Sequence, residues 1–295
     1  MNGVINFYKP SGMTSHDAVY FFRKLLNIKR IGHTGTLDPN ATGVLPICIG
    51  KATRISEYLL DVDKEYIGEL TLGASTDTLD SDGSIINTSD LLVSKTDIET
   101  SFSKYKGLIS QTPPMYSAIK INGKKLYELA REGIEIDRKS RNVNIYNLDI
   151  MNIKDNKNIY FYTRCSKGTY IRTLCDDIGV DLGTYGYMSY LIRVGVGNFK
   201  LETSYSMNFL KSLSKEEIER LIIPMDDAIN HLGQLIVPDN LYDKLINGVK
   251  LSMGKDPDAD CTLPLRIYCK NKFIGIGNIV LNEDGQFLKM NKVLI

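Results

Sequence analysis

The sequence of 295 residues is poor in the side chains that build metal and redox centres. It has three histidines and five cysteines, and no two cysteines form a C-x-x-C pair. This scarcity predicts that the protein holds no metal, and the odd number of cysteines is typical of a reduced cytoplasmic protein. No apolar run approaches the roughly 18 residues of a membrane span, and the first residues do not resemble a secretion signal. We therefore expect a cytoplasmic protein that does not enter a membrane.

Motifs for common cofactors and for hydrolysis are also missing. Residues 43–51 resemble a phosphate-binding loop, but the two glycines stand seven positions apart instead of five, and Ala52 replaces the required hydroxyl. Residues 80–83 resemble the start of a calcium loop, but Ser89 occupies the position of the bidentate glutamate. Residues 15–17 read Ser-His-Asp, which is typical of a helix cap because the members of a hydrolytic triad come from distant segments. The sequence therefore predicts no bound cofactor.

The feature that stands out against this background is one carboxylate on a glycine-rich loop. Asp38 is the only acidic residue between positions 30 and 43, and glycines at positions 32, 35 and 43 allow the backbone to bend sharply around it. Pro39 fixes the backbone directly after Asp38. Such a loop can position a functional carboxylate. An aspartate before a proline is more often a turn or helix-cap residue, so both interpretations stay open at this point.

The net charge of +1 hides two basic segments. Residues 1–60 carry seven Lys and Arg against three Asp and Glu, and residues 104–141 carry nine against four. An acidic stretch lies between them, at residues 61–99. Two basic segments can form a surface that binds the phosphates of a nucleic acid. Charge alone equally fits ordinary solvated helix faces.

The hydrophobic pattern predicts a chain in which strands and helices are mixed. Strands are expected over residues 3–9, 44–49, 66–72, 143–153 and 159–165. Helices are expected from residue 14 or 15 through residue 26, and over residues 52–60, 98–105, 125–131 and 170–178. Beyond a boundary near residue 232, short strands are expected over residues 265–269, 273–281 and 287–290. A second candidate, Arg172, lies where a strand ends and a helix begins, which is a common place for functional side chains.

Seven segments together resemble the TruB family of bacterial tRNA pseudouridine synthases. They run in the family's order and comprise residues 3–12, 32–39 with 50–54, 63–66, 76–78 with 82–83, 114–120, 123–133 and 166–173. The resemblance implies an α+β fold, with a catalytic domain over residues 1–232 whose central, mostly antiparallel sheet is flanked by helices. It also implies a thumb-like RNA-gripping insertion at about residues 108–142 and a small, β-rich, PUA-like RNA-binding domain over residues 233–295.

The same resemblance implies an activity, the conversion of uridine 55 in the T-loop of tRNA to pseudouridine. The target base is flipped out, its N1–C1′ bond breaks, the uracil rotates, and C5 joins C1′. Asp38 is implied to be essential, either as a nucleophile or as a base on the 2′ proton, and the sequence leaves both open. No cofactor takes part. The implied partner is the T-arm of tRNA, without a guide RNA or an obligate protein partner. A tRNA-binding folding chaperone is the alternative.

Site residues carry over from the family by position. Arg172 is expected to pair with Asp38 and keep it ionised. Tyr66 is expected to lie on the uracil face and to handle the C5 proton. The expected substrate contacts are five further side chains: Lys9, His33, Lys120, Tyr170 and Leu191. Many family members have two arginines after the leucine, whereas this chain has Ile and Arg at positions 192 and 193, so one phosphate contact of the family is absent or supplied elsewhere.

Overall fold

The computed structural model describes residues 1–121, 123–254, 263–282 and 285–295, so Asn122 and Cys261 lie outside the described residues. The other four cysteines are buried free thiols. Nine α-helices are present in these ranges: α1 (Ser15–Leu26), α2 (Ser56–Leu60), α3 (Lys95–Lys104), α4 (Leu126–Arg131), α5 (Ile171–Asp181), α6 (Met207–Lys211), α7 (Lys215–Arg220), α8 (Met225–Ala228) and α9 (Tyr242–Ile246). None of these helices combines the length and the apolar character needed to cross a membrane.

Nineteen β-strands are present in the same ranges. They are β1 (Gly3–Lys9), β2 (Ile31–His33), β3 (Thr42–Ile49), β4 (Lys64–Leu72), β5 (Ala74–Thr76), β6 (Ile85–Thr88), β7 (Gly107–Gln111), β8 (Lys120–Ile121), β9 (Lys124–Lys125), β10 (Arg141–Lys154), β11 (Asn158–Cys165), β12 (Gly186–Val196), β13 (Phe199–Lys200), β14 (Tyr205–Ser206), β15 (Gly233–Ile236), β16 (Leu251–Gly254), β17 (Leu265–Cys269), β18 (Lys272–Asn282) and β19 (Gly285–Val293). Ten of these strands form one large sheet and five form a second sheet.

The large sheet has the strand order β14-β1-β3-β12-β4-β11-β10-β7, with β2 added to β3 and β13 added to β12. Neighbouring strands are antiparallel except for the β1–β14 and β3–β12 pairs. The predicted α+β fold with a central, mostly antiparallel sheet is confirmed. The second sheet has the order β15-β17-β18-β19-β16 and begins at Gly233. The division into domains at residue 232 stays a prediction.

Helix α1 begins where the sequence predicts it, at a cap. The Thr14 hydroxyl accepts a hydrogen bond from the Asp17 backbone N–H, and the Asp17 carboxylate accepts one from the Thr14 N–H. This reciprocal capping box satisfies two N–H groups that would otherwise have no partner. One face of the helix packs on β1, where Phe22 stands edge-on to Phe7 with ring centroids 5.2 Å apart. The cap therefore fixes the first turn of α1 against the end of β1.

Two parts of the secondary-structure prediction are wrong. The helix expected over residues 52–60 is a 3-10 turn over Gly50–Arg54 followed by the short helix α2. Strand β12, which lies in the middle of the large sheet, was not expected at all. Its pairing with β4 is interrupted by two β-bulges, at 188–190 and 193–195. Because each bulge shifts later side chains to the opposite face, the sequence of β12 does not show a simple alternation.

The hydrophobic core holds the loop that carries Asp38. Leu37 and Ala41, on either side of Asp38, are buried in one cluster with Tyr66, Leu191 and residues of α5. Burying one leucine contributes about 1.5–3 kcal/mol, so the apolar neighbours of Asp38 resist any movement of the loop. A second cluster joins the two sheets, because Ile276 and Leu294 pack in it together with Val4 and Val44.

Gly43 permits the close approach of β3 and β12. Its φ angle is +106°, and a Cβ placed there would lie 2.2 Å from the carbonyl oxygen of Arg193. No side chain fits at that distance without displacing a backbone. The parallel pairing of Gly43 with Arg193 therefore requires glycine.

We predict that Gly43→Ala destabilises the protein by at least about 2 kcal/mol, because backbone strain and a backbone clash act together. Urea-induced unfolding measures the loss. The matched control is Gly248→Ala, since Gly248 has a φ of +70° but no neighbouring heavy atom within 4 Å of the added Cβ. Equal losses in the two variants would show that the contact with Arg193 contributes nothing.

Candidate active site

The Asp38 loop, defined as residues 34–41 between β2 and β3, is fastened to the end of β1 by Lys9. The Lys9 side chain is fully buried. Its Nζ donates hydrogen bonds to the carbonyl oxygens of Pro10, Met13 and Pro39, at 2.9, 2.6 and 2.9 Å. Burial lowers the pKa of Lys9 to about 8, and the charge of Asp38 opposes this shift. The ammonium therefore faces the loop backbone and not the solvent.

A second fastening comes from the first residue of α1. The Ser15 hydroxyl donates to the carbonyl oxygen of Leu37 at 3.1 Å and accepts from the Leu37 N–H at 2.9 Å. The Gly12 N–H donates to the carbonyl oxygen of Pro39 at 3.0 Å. The backbone is thus tied immediately before and immediately after Asp38.

Arg172 is the partner of Asp38. Its Nε lies 3.2 Å from Asp38 Oδ2, and its Nη2 donates to Asp38 Oδ1 at 3.3 Å. This two-pronged geometry fixes the direction of the carboxylate. Arg172 lies in the first turn of α5 and also donates to the carbonyl oxygens of Thr78 and Tyr116, at 3.1 and 2.8 Å. The expected pairing of Asp38 with Arg172 is present in the structure.

Asp80 is a second carboxylate on the same guanidinium, with its Oδ2 3.4 Å from Arg172 Nη1. The side chain of Asp80 is 10% exposed, against 34% for Asp38. Burial raises the pKa of Asp80, while hydrogen bonds from Thr78 and Asp82 and the charge of Arg172 oppose the shift. Asp38 is therefore the carboxylate of the pair that an external molecule can reach.

Tyr66 and Arg193 face each other across the β4–β12 pair. Tyr66 is 8% exposed and Arg193 is 1% exposed. Burial raises the pKa of Tyr66 to about 12, and the neighbouring charge of Arg193 opposes that rise. The Tyr66 phenol is therefore protonated at neutral pH. Tyr66 packs in one hydrophobic cluster with Leu37 and Ala41, which flank Asp38 in the loop.

A small cleft opens beside Asp38. Its walls come from the Asp38 loop, from the turn that carries Asp80 and from β12, and its lining residues are Asp38, Asn40, Ala41, Asp80, Ser81, Asp82, Met188, Ser189, Tyr190 and Leu191. Leu191 thus lies in the wall of the cleft, and its contact with a substrate stays a prediction. Tyr170 lies just before α5, where its N–H donates to the side chain of Gln111 at 3.1 Å. Burial raises the pKa of Tyr170, and the charges of Arg172 and Asp38 also act on it.

The remaining predicted residues occupy different surroundings. His33 ends β2, and its Nδ1 is buried without a hydrogen-bond partner among the described residues. Burial, together with the charges of Arg193 and His16, lowers the pKa of His33, so its ring is neutral at pH 7. Lys120 is exposed on β8 and makes no contact with Asp38, Tyr66 or Arg172 in the part of the chain that is described. Lys9 was expected to touch phosphate or the pocket, but its buried Nζ is occupied by three carbonyls.

Asp80 and Arg193 were missed as site residues. The only pattern around Asp80 in the sequence is the start of a calcium loop, and no local pattern marks Asp80 as a partner of Arg172. A signal for Arg193 does exist, since it follows the buried positions Met188 and Leu191 at an inward-facing place in β12. A charged residue at an inward position of a strand is informative because buried charges are rare. Over the described ranges, no three His, Cys, Asp or Glu side chains come together in a way that could hold a metal ion.

Two protein-family models of pseudouridine synthases match the sequence of this chain. The family described as TruB family pseudouridylate synthase (N terminal domain) matches residues 23–171. The family described as tRNA pseudouridylate synthase B C-terminal domain matches residues 172–230. The two matches meet at residues 171 and 172, so the loop with Asp38 falls in the first and Arg172 falls in the second.

Curated relatives match over whole chains. The tRNA pseudouridine synthase B of Alkaliphilus oremlandii is 46% identical over 299 residues, covering 100% of this chain and 99% of that protein. The tRNA pseudouridine synthase B of Clostridium kluyveri is 45% identical over 297 residues, covering 100% of both. Among solved structures, a chain in the crystal structure of a Cbf5-Nop10-Gar1 complex superposes with a TM-score of 0.75 at 27% identity, covering 99% of this chain and 85% of that one.

We predict that Lys9→Met lowers the free energy of unfolding by about 2–4 kcal/mol, because three buried carbonyls lose their donor. Hydrogen exchange should rise in the Asp38 loop. Urea unfolding and hydrogen-exchange mass spectrometry make the two measurements. Lys29→Met is the control, since Lys29 is exposed. An unchanged stability and an unchanged loop exchange in Lys9→Met would contradict the assignment of Lys9 to the loop backbone.

Proposed function

The chain belongs to the TruB family and is a tRNA pseudouridine synthase, and we propose that its target is uridine 55 in the T-loop, with Asp38 as the residue that enables cleavage of the glycosidic bond. The single observation that carries the proposal is the pairing of a partly exposed Asp38 with a buried Arg172 at the edge of a cleft. The target base is flipped out of the folded T-loop to reach this carboxylate, at a cost of a few kcal/mol.

The reaction uses the carboxylate of Asp38, and the pair with Arg172 holds that carboxylate in position. In one route, Asp38 attacks C1′ as the N1–C1′ bond breaks, and the rotated uracil then displaces Asp38 through C5. In the other route, Asp38 removes the 2′ proton as the N1–C1′ bond breaks and a C1′=C2′ double bond forms, and C5 of the uracil then adds to C1′ while the proton returns to C2′. Both routes end with loss of the C5 proton. Arg172 fixes the direction of the Asp38 carboxylate, which both routes require.

Tyr66 and three other residues are assigned to the flipped uridine. We assign Tyr66 to the uracil face and to the handling of the C5 proton. Tyr170 and Leu191 line the pocket. We assign His33 to a contact with the stacked bases of the RNA.

The basic segment of residues 104–141 presents fewer charges to RNA than its composition indicates. Lys104, Lys106, Lys124 and Arg138 are within ion-pair distance of carboxylates of the protein. Lys120, Lys139 and Arg141 are exposed and form no ion pair among the described residues. We assign these three cations to the phosphates of the T-arm, within the thumb-like insertion. Such contacts position the RNA and do not read its sequence.

The alternative function, a folding chaperone without essential catalysis, is disfavoured by the same site. A protein that only binds tRNA gains nothing from a carboxylate at the mouth of a cleft, because like charges repel. The ion pair with Arg172 offsets this repulsion but does not explain why Asp38 is there. A chaperone of this kind would bind tRNA without releasing tritium from uridine C5.

We predict that Asp38→Asn lowers the release of tritium from tRNA labelled at uridine C5 by at least about 10⁴-fold, while the Kd for tRNA changes by less than about threefold. Asparagine keeps the size of the side chain and removes its charge. Asp90→Asn is the control, since Asp90 is an exposed carboxylate. A transcript with cytidine at position 55 should release no tritium from the wild type.

Three results would count against this assignment. Release that continues in Asp38→Asn would remove Asp38 from the chemistry. Release from the transcript with cytidine at position 55 would place the target elsewhere. Binding of tRNA by the wild type without any release would favour the chaperone.

A second prediction concerns the phosphate contacts. The double variant Lys120→Met with Lys139→Met should reduce the slope of log Kd against log salt concentration by about 1–2, since each lost phosphate contact removes roughly 0.9. The control is Lys104→Met, because Lys104 is engaged with Asp181 at 2.8 Å. A filter-binding titration at several salt concentrations makes the measurement. An unchanged slope in the double variant would rule out this face.

A further inference from the structure

Among the described residues, Arg193 has the largest side chain that is fully buried, and only 1% of the residue is exposed. A buried charge is normally paired with an opposite charge, because removing an ion from water is costly. Over the ranges that the structure describes, no carboxylate lies within ion-pair distance of Arg193. Its partners are backbone carbonyls. The position therefore calls for an explanation other than charge pairing.

The three carbonyls that Arg193 contacts lie on both sides of Asp38. Its Nε donates to the carbonyl oxygen of Val44 at 2.7 Å. Its Nη1 and Nη2 donate to the carbonyl oxygens of Thr36 and Gly35, each at 3.4 Å. One guanidinium thus spans the beginning of the Asp38 loop and the strand that follows it. A planar group with five N–H donors can do this, whereas an ammonium on a flexible stem cannot reach the same three points in a plane.

Arg193 is also the cross-strand neighbour of Tyr66. Directly opposed residues of antiparallel strands have Cβ atoms about 4.5–5.5 Å apart, so their side chains share one surroundings. The charge of Arg193 opposes the upward pKa shift that burial gives to Tyr66. The same guanidinium therefore touches the backbone of the loop that carries Asp38 and acts on the Tyr66 side chain.

We propose that Arg193 is a positioning residue that sets the distance between Asp38 and Tyr66 by joining β12 to Gly35, Thr36 and Val44. It does not contact the substrate, since it is buried beneath the site. This inference rests on the proposed function of Asp38 and Tyr66. It goes beyond that function by naming the residue that holds these two side chains at a fixed distance. Lys9 and Ser15 hold the loop at Pro39 and Leu37. Arg193 adds a third attachment, which links the loop to β12 in the middle of the large sheet.

The first test separates positioning from general stability. Arg193→Lys and Arg193→Met are compared with Leu210→Ala, which removes a fully buried side chain from a different core cluster. Urea unfolding ranks the three variants. Single-turnover release of tritium at saturating tRNA should fall roughly 100-fold in Arg193→Met and by a smaller factor in Arg193→Lys, because a shift of about 1 Å between reacting groups has such an effect. The Kd for tRNA should change by less than about threefold.

The proposal is overturned if the rate of tritium release falls no further in Arg193→Lys than in Leu210→Ala. It is also overturned if Arg193→Lys weakens tRNA binding, measured as the Kd, without slowing tritium release. If Arg193→Met does not fold, Arg193→Lys decides, because lysine keeps the charge and loses the planar set of donors. A wild type that releases no tritium would refute the proposed function itself.

A second measurement does not depend on activity. Hydrogen-exchange mass spectrometry of Arg193→Lys should show faster exchange in residues 34–41 and unchanged exchange in β1. In Leu210→Ala the loop should exchange as in the wild type. Unchanged exchange in the Asp38 loop of Arg193→Lys would overturn the proposal whether or not the enzyme is active.

Discussion

The site depends on one cation held between two carboxylates. Arg172 joins the Asp38 loop, the turn that carries Asp80 and the start of α5. Asp38 lies against Nε and Nη2 of the guanidinium, and Asp80 lies against Nη1. The two carboxylates differ in how far they are exposed to solvent. Asp80 is the buried carboxylate, held by Thr78 and the backbone of Asp82, and it sets the position of Arg172. Asp38 is the more exposed of the two and lines the cleft.

Irregular backbone near the site is satisfied by long cationic side chains. Lys9 donates hydrogen bonds to three backbone carbonyls and Arg193 donates to three others. Lys64 donates to the carbonyls of Leu60 and Val62. A loop inside a core has carbonyls that no strand can pair, and each unpaired carbonyl costs about 1–3 kcal/mol. A single ammonium or guanidinium can satisfy several of them. The loop that carries Asp38 can therefore stay irregular and still be rigid.

Local sequence predicts the outer parts of this fold better than its centre. Strand β1, the capped start of α1 and the β10–β11 hairpin follow from alternation, capping residues and a turn at Asp155 and Asn156, all within a few neighbours. Strand β12 was missed because its bulges conceal the alternation. The resemblance to a family supplied Asp38, Tyr66 and Arg172 as a set. It could not supply Asp80, Arg193 or the burial of Lys9, since those depend on which backbone atoms the fold brings near each long side chain.

Charge counted along the sequence differs from charge presented to RNA for the same reason. Residues 1–60 have an excess of basic side chains, but Lys9 is buried and Arg30 donates to the Thr53 hydroxyl at 2.7 Å. Lys51 and Arg54 donate to the carbonyl oxygens of Ile295 and Val293, at the end of the second sheet. The 3-10 turn that replaced the expected helix thus joins the two sheets. A cation that donates to the backbone is no longer free to meet a phosphate, so the charge counted along residues 1–60 overstates the number of cations available to an external anion.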